Sequence, residues 1–159
     1  MDSPLSSDQK RALRYIVSLL QGNNISFQIT GGLAAVLYGA RRPVYDIDID
    51  VCENDIPKIR EIFLKDIVTD YHHLQDEKFD LYLLILSVYG VSVDISQLER
   101  ACIYDVRGER VEMQSDIARA KNIAWEDMAL PVQDKQELIT YKTILNRDID
   151  LSDIQEMSR

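Results

Sequence analysis

The sequence is poor in cysteine, because its 159 residues include only Cys52 and Cys102. Their separation does not match the spacing of a zinc site, and two cysteines are too few for a disulfide scaffold. We therefore expect two free thiols in a reducing, cytoplasmic environment. A single core at this length buries about two thirds of the surface of the unfolded chain, so no covalent staple is needed.

Long hydrophobic segments are also missing. No apolar run approaches the roughly 18 residues that a membrane-spanning helix requires, so we expect no membrane contact. The start of the sequence, Met1-Asp2-Ser3-Pro4, shows no basic region followed by an apolar stretch, and we expect no secretory signal. Length and composition indicate one domain over residues 1–159.

Basic residues are in the minority, with 18 Lys and Arg against 27 Asp and Glu and a formal net charge of -9. Proteins that hold nucleic acid by its phosphates usually show a basic balance, so a long nucleic-acid track is not an expected partner. An acidic protein can nevertheless bind phosphate groups through metal ions that its carboxylates hold. Five acids crowd a ten-residue stretch without Lys or Arg, right after Arg41-Arg42: Asp46, Asp48, Asp50, Glu53 and Asp55.

The hydrophobic patterns predict strands mixed with helices, followed by a helical tail. Ser6 and Gln9 have capping-box spacing at the start of the first helix, and a period of two from Val44 to Cys52 predicts a strand. These elements indicate an α/β or α+β domain, a mixed β-sheet flanked by helices, with its core at about 25–114 and a helical C-terminal part at 115–159. The predicted helices are 6–22, 33–38, 54–64, 115–121, 134–145 and 151–157; the predicted strands are 25–29, 44–52, 78–88 and 91–95, with a second hairpin turning at 107–109.

Asp46-Ile47-Asp48 is the sharpest local feature. Two carboxylates at positions i and i+2 of a strand project from the same face and repel each other unless they are neutralised. A shared magnesium ion would neutralise them, because it prefers carboxylate oxygens together with water and substrate phosphate. The alternative is the solvated face of an edge strand, where acids discourage aggregation. The pair alone leaves both interpretations open.

A third acid and a glycine turn add to this feature. Asp94 lies in a strand pattern that places its side chain on the face opposite to that of Val93 and Ile95. It joins the Asp pair if the two strands are neighbours in the sheet. Three carboxylates on adjacent strands can hold two metal ions, which suits phosphoryl or nucleotidyl transfer. Thr30-Gly31-Gly32 connects a strand to a helix N-terminus, where a phosphate can approach the backbone.

In combination these residues resemble the DNA polymerase β-like nucleotidyltransferase superfamily. The signature of that superfamily begins with an apolar residue followed by Gly-Gly or Gly-Ser at the start of a helix. A DxD pair follows about a dozen residues later, and a third acid lies on a later strand. The matching segments here are Ile29 to Gly32, Asp46 to Asp48, and Asp94. Gly31 to Ala35, Tyr38-Gly39, Arg42 and Asp46 to Ile49 look like a small bacterial group related to antibiotic nucleotidyltransferases and AbiEii-type toxins. That group carries a Lys-x4-Arg motif followed by an acid, which matches Lys142, Arg147, Asp150 and Asp153.

The resemblance, which covers about residues 25–155, implies a role for each matching residue. A glycine pair would cradle the triphosphate, three acids would bind metal or activate the hydroxyl, and three basic residues would meet phosphate oxygens. In that order they are Gly31 and Gly32; Asp46, Asp48 and Asp94; and Arg42, Lys142 and Arg147, with Asp150 as a further candidate.

Two of these functional assignments also have simpler structural interpretations. On an ideal helix Lys142 and Arg147 lie about 140° apart, so their spacing does not require a shared site, and Lys142 equally fits a solvated helix face. Asp150 and Asp153 equally fit the charged first turn of a helix. The turn also departs from the relatives that have serine at its second position, because Gly32 offers no hydroxyl to a phosphate.

The resemblance implies a nucleotidyltransferase that depends on Mg²⁺ or Mn²⁺, with two ions, and moves a nucleoside monophosphate from an NTP to a hydroxyl with release of pyrophosphate. The acceptor is open among small molecules such as antibiotics, tRNA ends and protein side chains. The alternative is an inactive member that binds a nucleotide or a protein partner, as in a toxin–antitoxin-like pair. A homodimer is also open.

Overall fold

A computed structural model describes residues 4–158 of the chain. The predicted lack of a secretory signal concerns a segment whose first three residues lie outside this range. The helices are α1 (Ser7–Gly22), α2 (Gly31–Leu37), α3 (Ile56–Ile62), α4 (Lys135–Leu145) and α5 (Asp148–Met157). The strands are β1 (Phe27–Thr30), β2 (Ile47–Val51), β3 (Ile67–Gln75), β4 (Phe79–Val88), β5 (Val91–Gln97), β6 (Cys102–Tyr104), β7 (Arg110–Glu112), β8 (Lys121–Trp125) and β9 (Met128–Val132).

The strands described form one mixed sheet in the order β7-β6-β4-β5-β2-β1-β9-β8, and β3 pairs with β4 outside this path. The β2–β5 and β1–β9 pairs are parallel, and the other pairs are antiparallel. Strand β2 is therefore interior, with β1 on one side and β5 on the other. The interpretation of Asp46 and Asp48 as the polar face of an edge strand is wrong.

The two faces of the central strands differ because apolar and polar residues alternate along them. Ile47, Ile49 and Val93 are completely buried and belong to the main core. Helix α1 packs Leu13 and Ile16 into the same core. Asp48 and Asp94 occupy the opposite face of the same strands, toward the cavity described below.

The predicted mixed α/β architecture with a C-terminal helix is confirmed. Helix α1 begins as predicted, with both reciprocal hydrogen bonds of the capping box between Ser6 and Gln9. The β4–β5 hairpin around Tyr89-Gly90 and the β6–β7 hairpin are also present.

The helical prediction for 115–121 is wrong. This segment contains only a 3₁₀ turn at Ile117–Arg119, and β8 and β9 follow it as a hairpin. Glu126 takes a left-handed conformation (φ 51°) in the hairpin turn, and Val132 pairs with Ile29 of β1. The sheet thus continues beyond the predicted core boundary at residue 114. Long-range pairing outweighed the local helical preference of this segment.

Strand β3 was not predicted, although it is nine residues long and carries His72 and His73. Its polar composition and two register irregularities against β4 obscure the period of two. Among the described residues, no helix has the length and apolarity that crossing a membrane would require.

Candidate active site

Strand register gathers the predicted acids on one face of the sheet. Asp48 lies opposite Asp94 of β5 in the parallel pair and opposite Thr30 of β1 in the antiparallel pair. Asp46 is exposed and directly precedes β2. All three carboxylates line one cavity of about 390 Å³ between this face and α4 and α5, together with Gly31 and Gly32.

The carboxylates in this cavity repel one another. Burial and the charges of Asp94, Asp46 and Asp50 together raise the pKa of Asp48 to about 7, although Lys142 lowers it. Burial and Asp46 also raise the pKa of Asp94. A shared cation would relieve this repulsion.

Oxygen donors and uncompensated negative charge fit a hard divalent cation. Among the described residues, however, no group of three or more His, Cys, Asp or Glu side chains could already hold a metal ion. The three carboxylates share a cavity without forming a complete set of ligands. Water and phosphate oxygens would supply the remaining ligands, as they commonly do for Mg²⁺.

The glycine turn lies against two of the charged side chains. Gly31 has a left-handed conformation (φ 65°), and a Cβ atom there would collide with the Asp48 carboxylate. A Cβ atom at Gly32 would lie 2.6 Å from Nη2 of Arg42. Both glycines therefore make room for charged groups of the cavity wall.

The predicted basic residues form one cluster with two buried acids. Lys142 is 2% exposed, with Nζ 3.0 Å from Oδ2 of Asp153 and 3.5 Å from Oδ1 of Asp150. Arg42 donates to both carboxylate oxygens of Asp153, at 2.8 and 3.0 Å, and Arg147 donates to both of Asp150, at 2.7 and 3.2 Å. Three cations and two anions leave this cluster one positive charge in excess.

The solvated-face interpretation of Lys142 is wrong, and the helical angle between Lys142 and Arg147 does not apply. Helix α4 ends at Leu145, and Asn146 turns the chain through a left-handed conformation (φ 54°) into α5. Lys142 and Arg147 therefore line the same cavity. Capping by Asp150 is confirmed, since its Oδ2 accepts the Arg147 backbone N–H at 3.0 Å, while Asp153 binds side chains instead.

A polar network beside Asp48 was not predicted. Gln28 Nε2 donates to Asp50 Oδ2 and to Ser115 Oγ, each at 2.9 Å, and Ser115 Oγ donates to Glu137 Oε1 at 2.8 Å. Burial and the charge of Glu137 together raise the pKa of Asp50 to about 6, although the Gln28 hydrogen bond lowers it. Asp50, two positions after the Asp46–Asp48 pair, was the sequence signal that could have indicated this network.

One wall of the cavity is apolar, which sequence reasoning also missed. Arg147 lies over the ring of Phe79 at 5.9 Å, at the edge of this wall. The wall comes from strands β3 and β4, from the residue before β6 and from the residue after β7. Its apolar side chains are Leu74, Phe79, Leu81, Leu83, Ala101 and Met113.

Solved structures share this fold. A predicted nucleotidyltransferase from Thermotoga maritima is 21% identical over 92% of this chain and 89% of that chain, with a TM-score of 0.73. The lincosamide antibiotic adenylyltransferase LnuA, solved with lincomycin bound, is 18% identical over 94% and 96% of the two chains, with a TM-score of 0.64. ANT(2'')-Ia, in complex with adenylyl-2''-tobramycin, is 10% identical over 94% and 87%, with a TM-score of 0.62.

Sequence comparison gives the family. No curated protein is significantly similar to the chain. Residues 12–157 nevertheless match the sequence profile of the aminoglycoside-2''-adenylyltransferases. This match spans nearly the whole chain and includes every residue of the cavity named above. The chain therefore belongs to the aminoglycoside-2''-adenylyltransferase family of nucleotidyltransferases.

Proposed function

We propose that this protein transfers the adenylyl group of ATP to a hydroxyl of a small-molecule acceptor and depends on Mg²⁺ or Mn²⁺. The observation that carries the proposal is the register of β1, β2 and β5, which brings Asp48 beside Thr30 and Asp94. The adenylyl donor and the small acceptor are supported by the family and by the antibiotic adenylyltransferases of the same fold.

The proposed triphosphate position is the side of the cavity with excess positive charge. Gly31 and Gly32 would present backbone to the phosphates, and Arg42, Lys142 and Arg147 would face phosphate oxygens. Asp46, Asp48 and Asp94 would hold the divalent ions, two in number, which neutralise charge on the attacking and leaving oxygens. Asp150 would fix Lys142 and Arg147 in place.

In the proposed reaction the acceptor hydroxyl oxygen forms a bond to the α-phosphorus. The bond from this phosphorus to the β-phosphate oxygen breaks, and pyrophosphate leaves. The hydroxyl proton passes to a carboxylate, for which Asp94, the third acid that lines the cavity, is the candidate. Positioning and charge stabilisation supply most of the rate.

Radiolabelled adenylyl transfer tests this proposal. The wild type is incubated with α-labelled ATP, Mg²⁺ and a panel of aminoglycosides and lincosamides, and labelled acceptor is identified by mass spectrometry. We expect transfer in the wild type and a loss of about 100-fold or more in Asp46→Ala and Asp48→Ala. Asp8→Asn, which alters an exposed acid of α1, is the control and should leave the rate unchanged.

Two outcomes would contradict the proposal. Labelling that survives in Asp46→Ala and Asp48→Ala would exclude these acids from the reaction. ATP binding without transfer to any acceptor, in the panel or in a cell extract, would favour the non-catalytic alternative of a nucleotide-binding or partner-binding protein.

A further inference from the structure

The guanidinium of Arg42 is fixed against the cavity wall. Its Nε and Nη2 donate to Asp153, and Nη1 donates to the carbonyl oxygen of Pro43 at 3.1 Å. Asp153 is completely buried and also contacts Nζ of Lys142 at 3.0 Å. The two cations keep the pKa of Asp153 below its usual value, although burial works in the opposite direction. Asp153 is therefore a charged anchor for both cations.

Gly32 makes the space that this guanidinium occupies. A Cβ atom at position 32 would lie 2.6 Å from Nη2 and 3.2 Å from Cζ of Arg42. Gly32, unlike Gly31, does not have a left-handed backbone, so alanine could adopt its conformation. Glycine is therefore required at this position by the approach of Arg42 and not by the turn itself.

The anchored guanidinium keeps donors free for a ligand. Arginine has five N–H donors, and the described residues accept three of those of Arg42. The other two belong to Nη1 and Nη2, beside Gly32 at the opening of α2. This is the place where a serine at the second position of the turn would offer its hydroxyl. A planar guanidinium suits phosphate better than a single hydroxyl, because it can donate two parallel hydrogen bonds.

We propose that Gly32 and Asp153 are positioning residues that together present the Arg42 guanidinium to the nucleotide's phosphates, in place of the hydroxyl that the turn lacks. This inference rests on the proposed function, because it deepens the phosphate side of the same site. It predicts an interaction that is specific to this arrangement: the cost of a side chain at position 32 depends on the presence of Arg42.

A double-mutant cycle between Gly32→Ala and Arg42→Ala tests this dependence. The affinities of the full-length protein for ATP with Mg²⁺ and for inorganic tripolyphosphate are measured by calorimetry. Arg42→Ala should weaken both by about tenfold or more, as expected for a charge-assisted hydrogen bond. Gly32→Ala should weaken both to a similar extent, and the double variant should bind as Arg42→Ala does, within about twofold.

Gly22→Ala is the matched control, because a Cβ atom there meets nothing within 4 Å, and it should bind as the wild type does. If the losses of the two single variants multiply in the double variant, or if Gly32→Ala binds as well as Gly22→Ala, the inference is overturned. A wild type that binds neither ATP nor tripolyphosphate would overturn the proposed function as well, which distinguishes the two failures.

Asp153→Asn tests the anchor. It should weaken tripolyphosphate binding in the wild-type background and weaken it by a smaller factor in the Arg42→Ala background, measured well below each variant's unfolding midpoint. An equal factor in both backgrounds would show that Asp153 does not act through Arg42. Because Asp153 is completely buried, the cycle at the partly exposed Gly32 decides the question if Asp153→Asn does not fold.

Discussion

At the scale of single residues, Asp50 is a buried acid whose surroundings do little to neutralise its charge. It is 6% exposed, and no described Lys, Arg or His lies within ion-pair distance of its carboxylate. Gln28 supplies one hydrogen bond to Oδ2, while burial raises the pKa to about 6. The charged form of Asp50 is therefore costly to the folded state.

We predict that Asp50→Asn stabilises the protein in a pH-dependent manner. With a folded-state pKa near 6 and an ordinary value of 3.8, the folded state binds the proton more tightly, so stability declines as pH rises between these values. Asparagine mimics the protonated acid and removes this decline. The measurement is the unfolding midpoint of both proteins in EDTA from pH 4 to pH 7. The midpoints should be close near pH 4 and separate toward pH 7; parallel curves would contradict the prediction.

The sequence predicts those site residues whose geometry is fixed by their local spacing along the chain. The DxD pair and the glycine turn are recognisable because their spacing along one strand or one turn fixes their geometry. The partners of Arg42 and of Asp50 were not predictable in this way. Arg42 and Asp153 are 111 positions apart, and nothing in either neighbourhood indicates the other. Their pairing depends on how α5 packs against α2.

At the scale of elements, the start of α1 is secured by its capping box. The Ser6 backbone N–H donates to Gln9 Oε1 at 2.7 Å, and the Gln9 backbone N–H donates to Ser6 Oγ at 3.1 Å. Helix α1 carries a large part of the core on the side of the sheet away from the cavity, including Leu13, Ile16 and Leu20. Fraying at its first turn therefore weakens the folded protein without touching the site.

We predict that Ser6→Ala lowers the free energy of unfolding by about 1 kcal/mol, the usual cost of losing an N-cap hydroxyl. Ser7→Ala is the control, because Ser7 is an exposed first helical residue and should change stability by a few tenths of a kcal/mol at most. Urea unfolding of the three proteins gives both values. Equal losses at the two positions would show that the cap does not hold α1.

The elements that were predicted correctly are those with strong local patterns. Helix α1 and the β4–β5 hairpin have a clear helical stripe and a clear period of two around a glycine turn. The β8–β9 hairpin lacks that clarity, because β8 is largely exposed and Pro131 interrupts β9. Its strand conformation is fixed by pairing with β1, which no local pattern displays.

At the scale of the whole molecule, the acids that give the net charge of -9 lie in two different environments. Most acids on the surface are solvated, whereas those at Asp48 and Asp94 face each other across the β2–β5 pair. Folding therefore brings together charges that are separated in the unfolded chain. A cation that binds only the folded state would stabilise it by mass action.

We predict that Mg²⁺ and Mn²⁺ raise the unfolding midpoint, with a gain of about 2.7 kcal/mol at a concentration 100 times the dissociation constant. Asp48→Asn should unfold at a higher temperature than the wild type without metal, because one of the repelling charges is gone, yet respond less to metal. Potassium chloride at matched ionic strength is the control for screening. An equal response of both proteins to Mg²⁺ would place the ion elsewhere.

The parallel pairing of β9 with β1 also bears on how the protein folds. Strand β1 leads into the glycine turn, but its neighbour Val132 follows Ile29 by about 100 positions, and α4 and α5 come later still. Each such contact carries the entropic cost of closing the intervening loop, which slows folding. Strand β1 and Arg42 therefore depend for these partners on residues about 100 positions later in the chain. The proposed phosphate-binding cluster is therefore complete only when α5 has docked and Asp153 has paired with Arg42.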